Sequence, residues 1–456
     1  MRLIVSSSIR VEEPSEALTR FCRDTLVLPN PDYVSAERMG RWTGGMEKEL
    51  CLYSEDGGDL ILPFGCLEWI WPYARQAKAE WRTEFHPFIR GGLSGHVSLY
   101  DYQERAVSAM VKAKSGVLEA PCGSGKTQMG LAIIERIGGR ALWLTHTKKL
   151  LKQSEERAKA YLQGGFGEIT EGKVRIGEGI TFATVQTMSR IDPSLYRNAF
   201  DIVVVDECHH CAGSPTRMAM FYQVITNCNA RYKYGLSATL TRADGLIRSV
   251  YAAIGPKRHS VSKEEVGDKT IKAEHVRVDI PISYPMESWC GSDGMLDFNA
   301  LINTLSGDEK RNAIIVSKAR ELWEGGRKQL ILCHRVAQAE NLAKACSSFA
   351  KVSLMTGRVS EKKRVYDAEI IVATYALAKE GLDIPDLDAV HLATPQKDES
   401  TVRQSVGRVE RNVPGKRKPL AIDYVDVAIP YCLSCWKKRR RILARGGCYI
   451  ASTSNK

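Results

Sequence analysis

The spacing of apolar residues changes character near residue 97 of this 456-residue chain. Before that point, short stretches at 26–28, 49–53 and 59–62 alternate apolar and polar side chains between Pro, Gly and Asp. Period-two alternation between turn residues predicts short half-buried strands, so residues 1–96 read as a small β-rich or α+β module. Trp69 and Trp71, two residues apart within it, read as one face of a strand packed into a core. After residue 97 the apolar residues come in solid runs, at 116–120, 141–145, 179–184, 201–205 and 233–236, separated by helical segments. Runs of this kind are buried strands of a parallel sheet in repeating βαβ units. A less regular stretch at 260–297 precedes a second series at 329–333, 351–355, 369–373, 389–393 and 419–423. The pattern therefore predicts four parts: an accessory module at 1–96, an α/β domain at 97–265, a second α/β domain at 266–430, and a basic tail or helix at 431–456.

Composition narrows the class. Hydrophobic residues make up 44% and charged ones 26%, and no apolar run approaches the ~20 residues that cross a bilayer, so neither a disordered chain nor a membrane protein is expected. Thirteen cysteines lie without regular spacing, and no sustained apolar stretch with a small-residue cleavage site follows Met1, so reduced thiols and a cytoplasmic location are expected. The net charge of +12 is uneven: residues 1–96 hold 11 Lys and Arg against 14 Asp and Glu, whereas residues 403–456 hold 13 against 3. A basic surface of this kind suits a polyphosphate partner, and equally a solvated tail.

Chemistry enters at Ala120-Pro121-Cys122-Gly123-Ser124-Gly125-Lys126-Thr127. An apolar strand leads in and an apolar helix leads out, so the glycines let the backbone curl around an anion at a helix N-terminus. Pro121, Cys122, Gly123, Ser124 and Gly125 would cradle ATP, Lys126 would neutralise its β- and γ-phosphates, and Thr127 would ligand Mg²⁺. Eighty residues on, an apolar strand ends in Asp206 and Glu207. Two adjacent carboxylates repel, so a cation is expected there, with Asp206 holding Mg²⁺ and Glu207 orienting and deprotonating the attacking water.

Asp206-Glu207-Cys208-His209 resembles the DECH form of the DEAD/DEAH box, and the whole spacing is similar to superfamily 2 helicases, closest to the XPB, RecG and UvsW group of DNA motors and in particular to UvsW-type bacteriophage recombination helicases. That resemblance covers roughly residues 97–430 and implies two tandem RecA-like domains preceded by the small N-terminal domain. It implies that Ser237 and Thr239 of Ser237-Ala238-Thr239, together with His209 and Gln404, couple hydrolysis to domain movement. Segments 142–153 and 181–187 resemble motifs Ia and Ib, which touch the nucleic-acid backbone and bring in Thr147, Lys148, Thr184 and Gln186. Segment 330–335 resembles motif IV, with His334 and Arg335, and 374–385 resembles motif V, with Thr374 on the nucleic acid and Gly381 and Asp383 near the nucleotide. Gln404-Ser405-Val406-Gly407-Arg408-Val409-Glu410-Arg411 resembles motif VI. Arg408 and Arg411, three residues apart, are expected on one helix face as arginine fingers for the γ-phosphate, leaving Glu410 between them either in solvent or tuning their charge. Leu99-Tyr100-Asp101-Tyr102-Gln103 resembles the group's adenine-reading element, so Gln103 inherits that role, although Tyr100 stands where the group usually has Arg.

The resemblance implies unwinding or branch migration of branched or forked DNA by a monomer using ATP and Mg²⁺, with single-stranded DNA or RNA as further possible partners. Two alternatives in the same class are a duplex translocase that separates no strands and an RNA helicase; an inactive binding scaffold is the alternative outside it, and the intact Lys126, Asp206, Glu207, Arg408 and Arg411 argue against that. Arg38, Arg41 and Trp42 form a basic and aromatic patch that could stack on a base pair. Cys208-His209-His210-Cys211 and Cys432-x-x-Cys435 invite a zinc reading. Four adjacent side chains cannot converge on one ion, and the second pair has only Cys448 nearby, so structural thiols are expected. Segment 436–445 reads as a basic helix along the DNA or as a solvated face.

Overall fold

The structure is a computed structural model that describes residues 1–450 apart from 122, 171–172, 213–219, 239, 241–244, 268–270, 292, 358, 360–366, 380–383, 385 and 414. It divides into two compact units, Met1–Glu265 and Val266–Lys456.

The first unit contains two large sheets and two short two-stranded ones, Leu93–Gly95 with Leu162–Gly164 and Val27–Pro29 with Glu49–Cys51. The larger has eight strands in the order Lys173–Arg175, Gly167–Thr170, Ile180–Thr184, Ala141–Thr145, Ile202–Asp206, Tyr232–Ser237, Ser115–Glu119 and Lys257–Ser260. All neighbours are parallel except Lys173–Arg175, which folds back antiparallel on Gly167–Thr170. Every residue of Ala141–Thr145, Ile180–Thr184 and Ile202–Asp206 is buried, which is why these strands read as solid apolar runs.

The N-terminal module forms a separate five-stranded sheet, ordered Ser54–Asp56, Asp59–Pro63, Ser8–Glu12, Arg2–Val5 and Glu80–Thr83. It is packed onto the larger sheet's side of the unit rather than tethered to it. Gly65 sits so close to helix Ile247–Ile254 that a Cβ there would fall 2.1 Å from the Tyr251 carbonyl oxygen. The buried Lys233 ammonium donates to the Ser7 carbonyl at 3.1 Å and the Ile225 carbonyl at 2.9 Å, and it lies 4.9 Å from the centre of the Phe64 ring. Ile89 N donates to the Asp201 carboxylate, and Asn229 Nδ2 donates to the Glu84 carbonyl. Trp69 and Trp71 lie on helix Leu67–Gln76, not on a strand; Pro72 inside that helix and the aromatic residues around it concealed a helical period. Trp42 is 82% exposed, so a surface aromatic does stand beside Arg38 and Arg41.

The second unit is built on seven parallel strands, ordered Val352–Met355, Ile370–Thr374, Gln329–Cys333, Ala389–Leu392, Leu420–Asp426, Glu274–Ile280 and Tyr449–Ile450. Glu274–Ile280 falls inside the stretch that looked irregular in sequence. Its charged Arg277 and Asp279 interrupt the apolar run, yet the Arg277 guanidinium lies 4.2 Å from the Trp436 ring centre and is capped by the C-terminal helix. That helix, Pro430–Arg445, belongs to the fold: Cys432, Cys435, Ile442 and Leu443 are buried, and the strand after it pairs with Glu274–Ile280. Arg439, in the middle of the basic run, is fully buried. Its guanidinium grips both Asp423 carboxylate oxygens at 2.6–3.0 Å, and His275 Nε2 is 3.0 Å from the same group. The Arg439 charge holds Asp423 below the ordinary carboxylate range despite its burial. No helix among the described residues is long and apolar enough to cross a membrane.

Candidate nucleotide site and nucleic-acid face

In a parallel sheet, loops after the C-terminal ends of the strands converge, and ligands bind there. In the first unit, strand Ser115–Glu119 runs into the glycine-rich loop and helix Lys126–Ile137. Gly123 and Gly125 take φ values of 82° and 78°, where an L side chain would be strained. The Lys126 ammonium curls back over the loop to the Ala120 carbonyl at 3.3 Å. Cys122 lies outside the described residues.

The loop is held from behind. Helix Asp101–Ala113 presents Gln103, whose Nε2 donates to the Ser124 carbonyl at 2.8 Å while its Oε1 accepts from Tyr100 N at 3.0 Å. The Tyr102 hydroxyl donates to the same Ser124 carbonyl at 3.0 Å. Both ends of the Gln103 carboxamide are thus engaged within the protein, and a Cβ on Gly125 would come within 2.4 Å of it. Tyr100 is 53% exposed and stacks on Tyr102 with ring centres 6.1 Å apart.

Asp206 ends the central strand Ile202–Asp206, one strand removed from the strand that leads into the loop; it is buried, and its Oδ1 accepts from Glu207 N at 3.0 Å. Burial, reinforced by the Glu207 charge and opposed by Lys126, pushes the Asp206 carboxyl up to about 7. A buried acid of this kind beside a phosphate-loop lysine and threonine fits a divalent cation, which would restore its charged form. Glu207 adopts a left-handed φ of 52°, turning the chain so that its carboxylate and His209 come together. His209 Nδ1 is 3.4 Å from Glu207 Oε2 and 3.0 Å from the Ser237 hydroxyl, which sits at the end of the next strand. The His210 ring packs against His209 at 4.2 Å and against His146 at 4.8 Å, and Gln186 Nε2 donates to the His146 carbonyl. Contiguous contacts therefore lead from the acid pair to the segments expected to hold nucleic acid. Cys208 and Cys211 point into the core instead. Thr239 lies outside the described residues.

Those segments frame a cavity of about 390 Å³ lined by Lys148, Thr184 and Gln186. Sequence reasoning missed three of its other walls: His146, Arg190 and Lys173 from the antiparallel hairpin, whose basic residues carried no periodic signal. Thr147 is not in the lining; its hydroxyl accepts from Leu150 N and caps helix Lys148–Tyr161.

In the second unit, His334 and Thr374 follow or close adjacent strands. His334 Nδ1 is 2.7 Å from the Thr394 hydroxyl, its ring packing on Tyr375 and Phe298. Arg335 is tied to Asn303 and Asn299. Gln404 is nearly buried on helix Glu399–Gly407. That helix ends at Gly407, so Arg408 is its cap and Arg411 lies beyond it; the two arginines do not share a helix face. Glu410, between them, is buried and turned into the unit, accepting from Ala273 N and lying 3.5 Å from Cys448 Sγ. It does not face solvent. Gly381 and Asp383 lie outside the described residues.

The ResIII family (type III restriction enzyme, res subunit) matches residues 96–242, and the helicase conserved C-terminal domain matches residues 298–413. The chain belongs to the superfamily 2 helicases. A protein of Acanthamoeba polyphaga mimivirus, named as a candidate ATP-dependent RNA helicase, is 27% identical to this helicase over 333 residues, covering 71% of this chain and 62% of that protein. The DNA 3'-5' translocase XPB2 of Sulfurisphaera tokodaii is 27% identical over 362 residues, covering 71% and 80%. Among solved structures, S. cerevisiae Dbp5 bound to RNA and ADP BeF3 matches with a TM-score of 0.54 at 17% identity over 78% of this chain and 90% of that one, which shows the shared fold of tandem RecA-like domains. The crystal structure of T4 UvsW aligns over 99% of both chains at 18% identity with a TM-score of 0.41.

Proposed function

We propose that this helicase is an ATP-driven motor on DNA that unwinds or branch-migrates forks, Holliday junctions or R-loops, working as a monomer. The observation that carries the reading is the acid pair: Asp206 and Glu207 close a buried strand beside Lys126, with His209 joining Glu207 to Ser237.

In this reading Lys126 and the loop amides take the β- and γ-phosphates of ATP, and Thr127 and Asp206 hold Mg²⁺. The bound ion supplies charge stabilisation to the transferring phosphoryl group. Glu207 aligns water in line with the bond that breaks and takes its proton. Arg408 and Arg411 complete the site when the two units close on nucleotide, so hydrolysis is gated by closure. Lys148, Thr184 and Gln186 hold the nucleic-acid backbone in the first unit, and His334, Arg335 and Thr374 do so in the second. The XPB2 relative's name favours DNA, and the mimivirus relative's name makes RNA the arm to test against it.

The test is ATP hydrolysis by the purified chain alone and with single-stranded DNA, duplex, a four-way junction or RNA, using Glu207→Gln as the inactive control. Strongest stimulation by the junction, with strand separation on a gel, supports the proposal. Stimulation by duplex without separation makes it a translocase, and stimulation by RNA alone overturns the choice of DNA.

A further inference from the structure

A second concave site lies where the N-terminal module meets the first α/β sheet, a cavity of about 580 Å³. It sits at the starts of strands Ser115–Glu119 and Tyr232–Ser237, whereas the phosphate loop and the acid pair follow strand ends. Five residues of strand, roughly 17 Å, separate the two. This cavity is therefore part of neither the nucleotide site nor the 390 Å³ groove.

The module contributes Trp71 and Trp81, 38% and 60% exposed, their rings edge to face with centres 6.0 Å apart. The α/β sheet contributes Lys114, Arg231 and Arg258. The one carboxylate among the described residues of the lining, Glu68, is taken by Arg258 at 2.5 Å. Arg231 is held in place by the His86 carbonyl at 2.8 Å and by the Phe85 ring at 5.5 Å, and Lys114 forms no ion pair among the described residues. The result is an aromatic recess with a net positive charge, attached to a module whose overall charge is negative: Arg258 is paired with Glu68, Arg231 lies within electrostatic reach of the buried Asp201, and Lys114 is left over.

We propose that this cavity binds an unstacked nucleobase together with its adjoining phosphate, supplied by single-stranded nucleic acid. Trp71 and Trp81 offer the base a π-face, and Lys114 and Arg231 answer the phosphate, the pairing that recurs in sequence-tolerant strand binding. The volume falls in the range of small-ligand sites, enough for one nucleotide and not for a duplex. The site gives the first unit a second hold on a strand, at the opposite end of its sheet from the nucleotide. Only the source of the strand rests on the motor reading.

The test is photocrosslinking of the full chain to a single-stranded oligonucleotide carrying 5-iodouracil, with the crosslinked peptides mapped by mass spectrometry. Crosslinks at Trp71 or Trp81 are expected, reduced about tenfold or more by Lys114→Glu, lost at that position in Trp81→Ala and retained in Trp81→Phe, with ATP hydrolysis in the absence of nucleic acid unchanged. Crosslinks confined to the segment from His146 to Arg190 would overturn the inference while leaving the motor reading intact, and none anywhere would sink both. Equal labelling by iodo-deoxyuridine monophosphate at the same concentration would make it a free-nucleotide site and overturn the strand assignment. Protection by an acidic, aromatic peptide but not by unlabelled oligonucleotide would make it a protein-docking site and overturn the proposal too.

Discussion

His209 and Ser237 are joined by a 3.0 Å hydrogen bond across the ends of two adjacent strands, and the same histidine nitrogen lies 3.4 Å from the Glu207 carboxylate. If the proposed motor reading holds, a shift of Glu207 as phosphate bonds break would reach Ser237, the first residue of the segment that resembles motif III. His209→Ala is expected to keep hydrolysis without nucleic acid within a few-fold of the parent. Stimulation by DNA and strand separation should fall about tenfold to a hundredfold, the scale of one hydrogen bond to a charged group. Parallel loss of basal and stimulated rates would show that His209 serves catalysis directly instead.

Asp206 supplies a pH dependence. Its folded-state acidity lies near 7, above the ordinary 3.8, so the folded chain binds this proton more tightly than the unfolded chain does. The stability it contributes is complete below about pH 4 and is lost as pH rises through 7. Asp206→Asn should accordingly raise the Tm of the nucleotide-free chain at pH 8 and leave it unchanged at pH 3.5, while abolishing ATP hydrolysis. Thermal melts at the two pH values check the sign.

Gln103 and Tyr102 share one acceptor, the Ser124 carbonyl. Removing one donor leaves the other, so Gln103→Ala should raise the KM for ATP about tenfold with a smaller change in kcat, and Tyr102→Phe should do less. Gly125→Ala is a harsher change, since φ of 78° and the 2.4 Å approach to Gln103 both oppose a Cβ, and it should remove measurable ATP binding. Titration with a fluorescent ATP analogue separates the three variants.

Breaking the Arg439–Asp423 pair strands a charge inside the second unit. Arg439→Met should destabilise that unit by about 3–5 kcal/mol, a cost typical of a buried ion pair losing one partner, and truncation after residue 429 should unfold it altogether. Limited proteolysis, reading cleavage within 266–429, tests both. A truncated chain that stays protease-resistant would return the C-terminal segment to the status of an appendage.

What the chain disclosed in advance follows burial. The ten solid apolar runs correspond to ten strands, because a strand covered on both faces has no polar position to vary. Glu274–Ile280 escaped notice because Arg277 and Asp279 break its apolar run; the two pair with each other along the strand, and the Trp436 ring that covers Arg277 comes from a helix that local pattern does not contain. Trp69 and Trp71 suggested a strand for the same reason in reverse: two-residue spacing also occurs on a helix. At the site, residues held by backbone chemistry, such as Gly123, Gly125 and the acid pair, were legible, whereas Lys173 and Arg190 in the basic groove depend on where a hairpin and a helix end come to rest. The helix boundary at Gly407 separated two arginines that spacing alone had placed together.

The close seating of Gly65 on helix Ile247–Ile254 carries a practical lesson for anyone seeking a minimal engine. A chain begun at residue 97 would lose the cover over that helix and over the Lys233 ammonium, leaving an oily seam with a bare cation in it, prone to clump in solution. The opening ninety-six residues act as the first unit's outer hull, and a working fragment has to keep them.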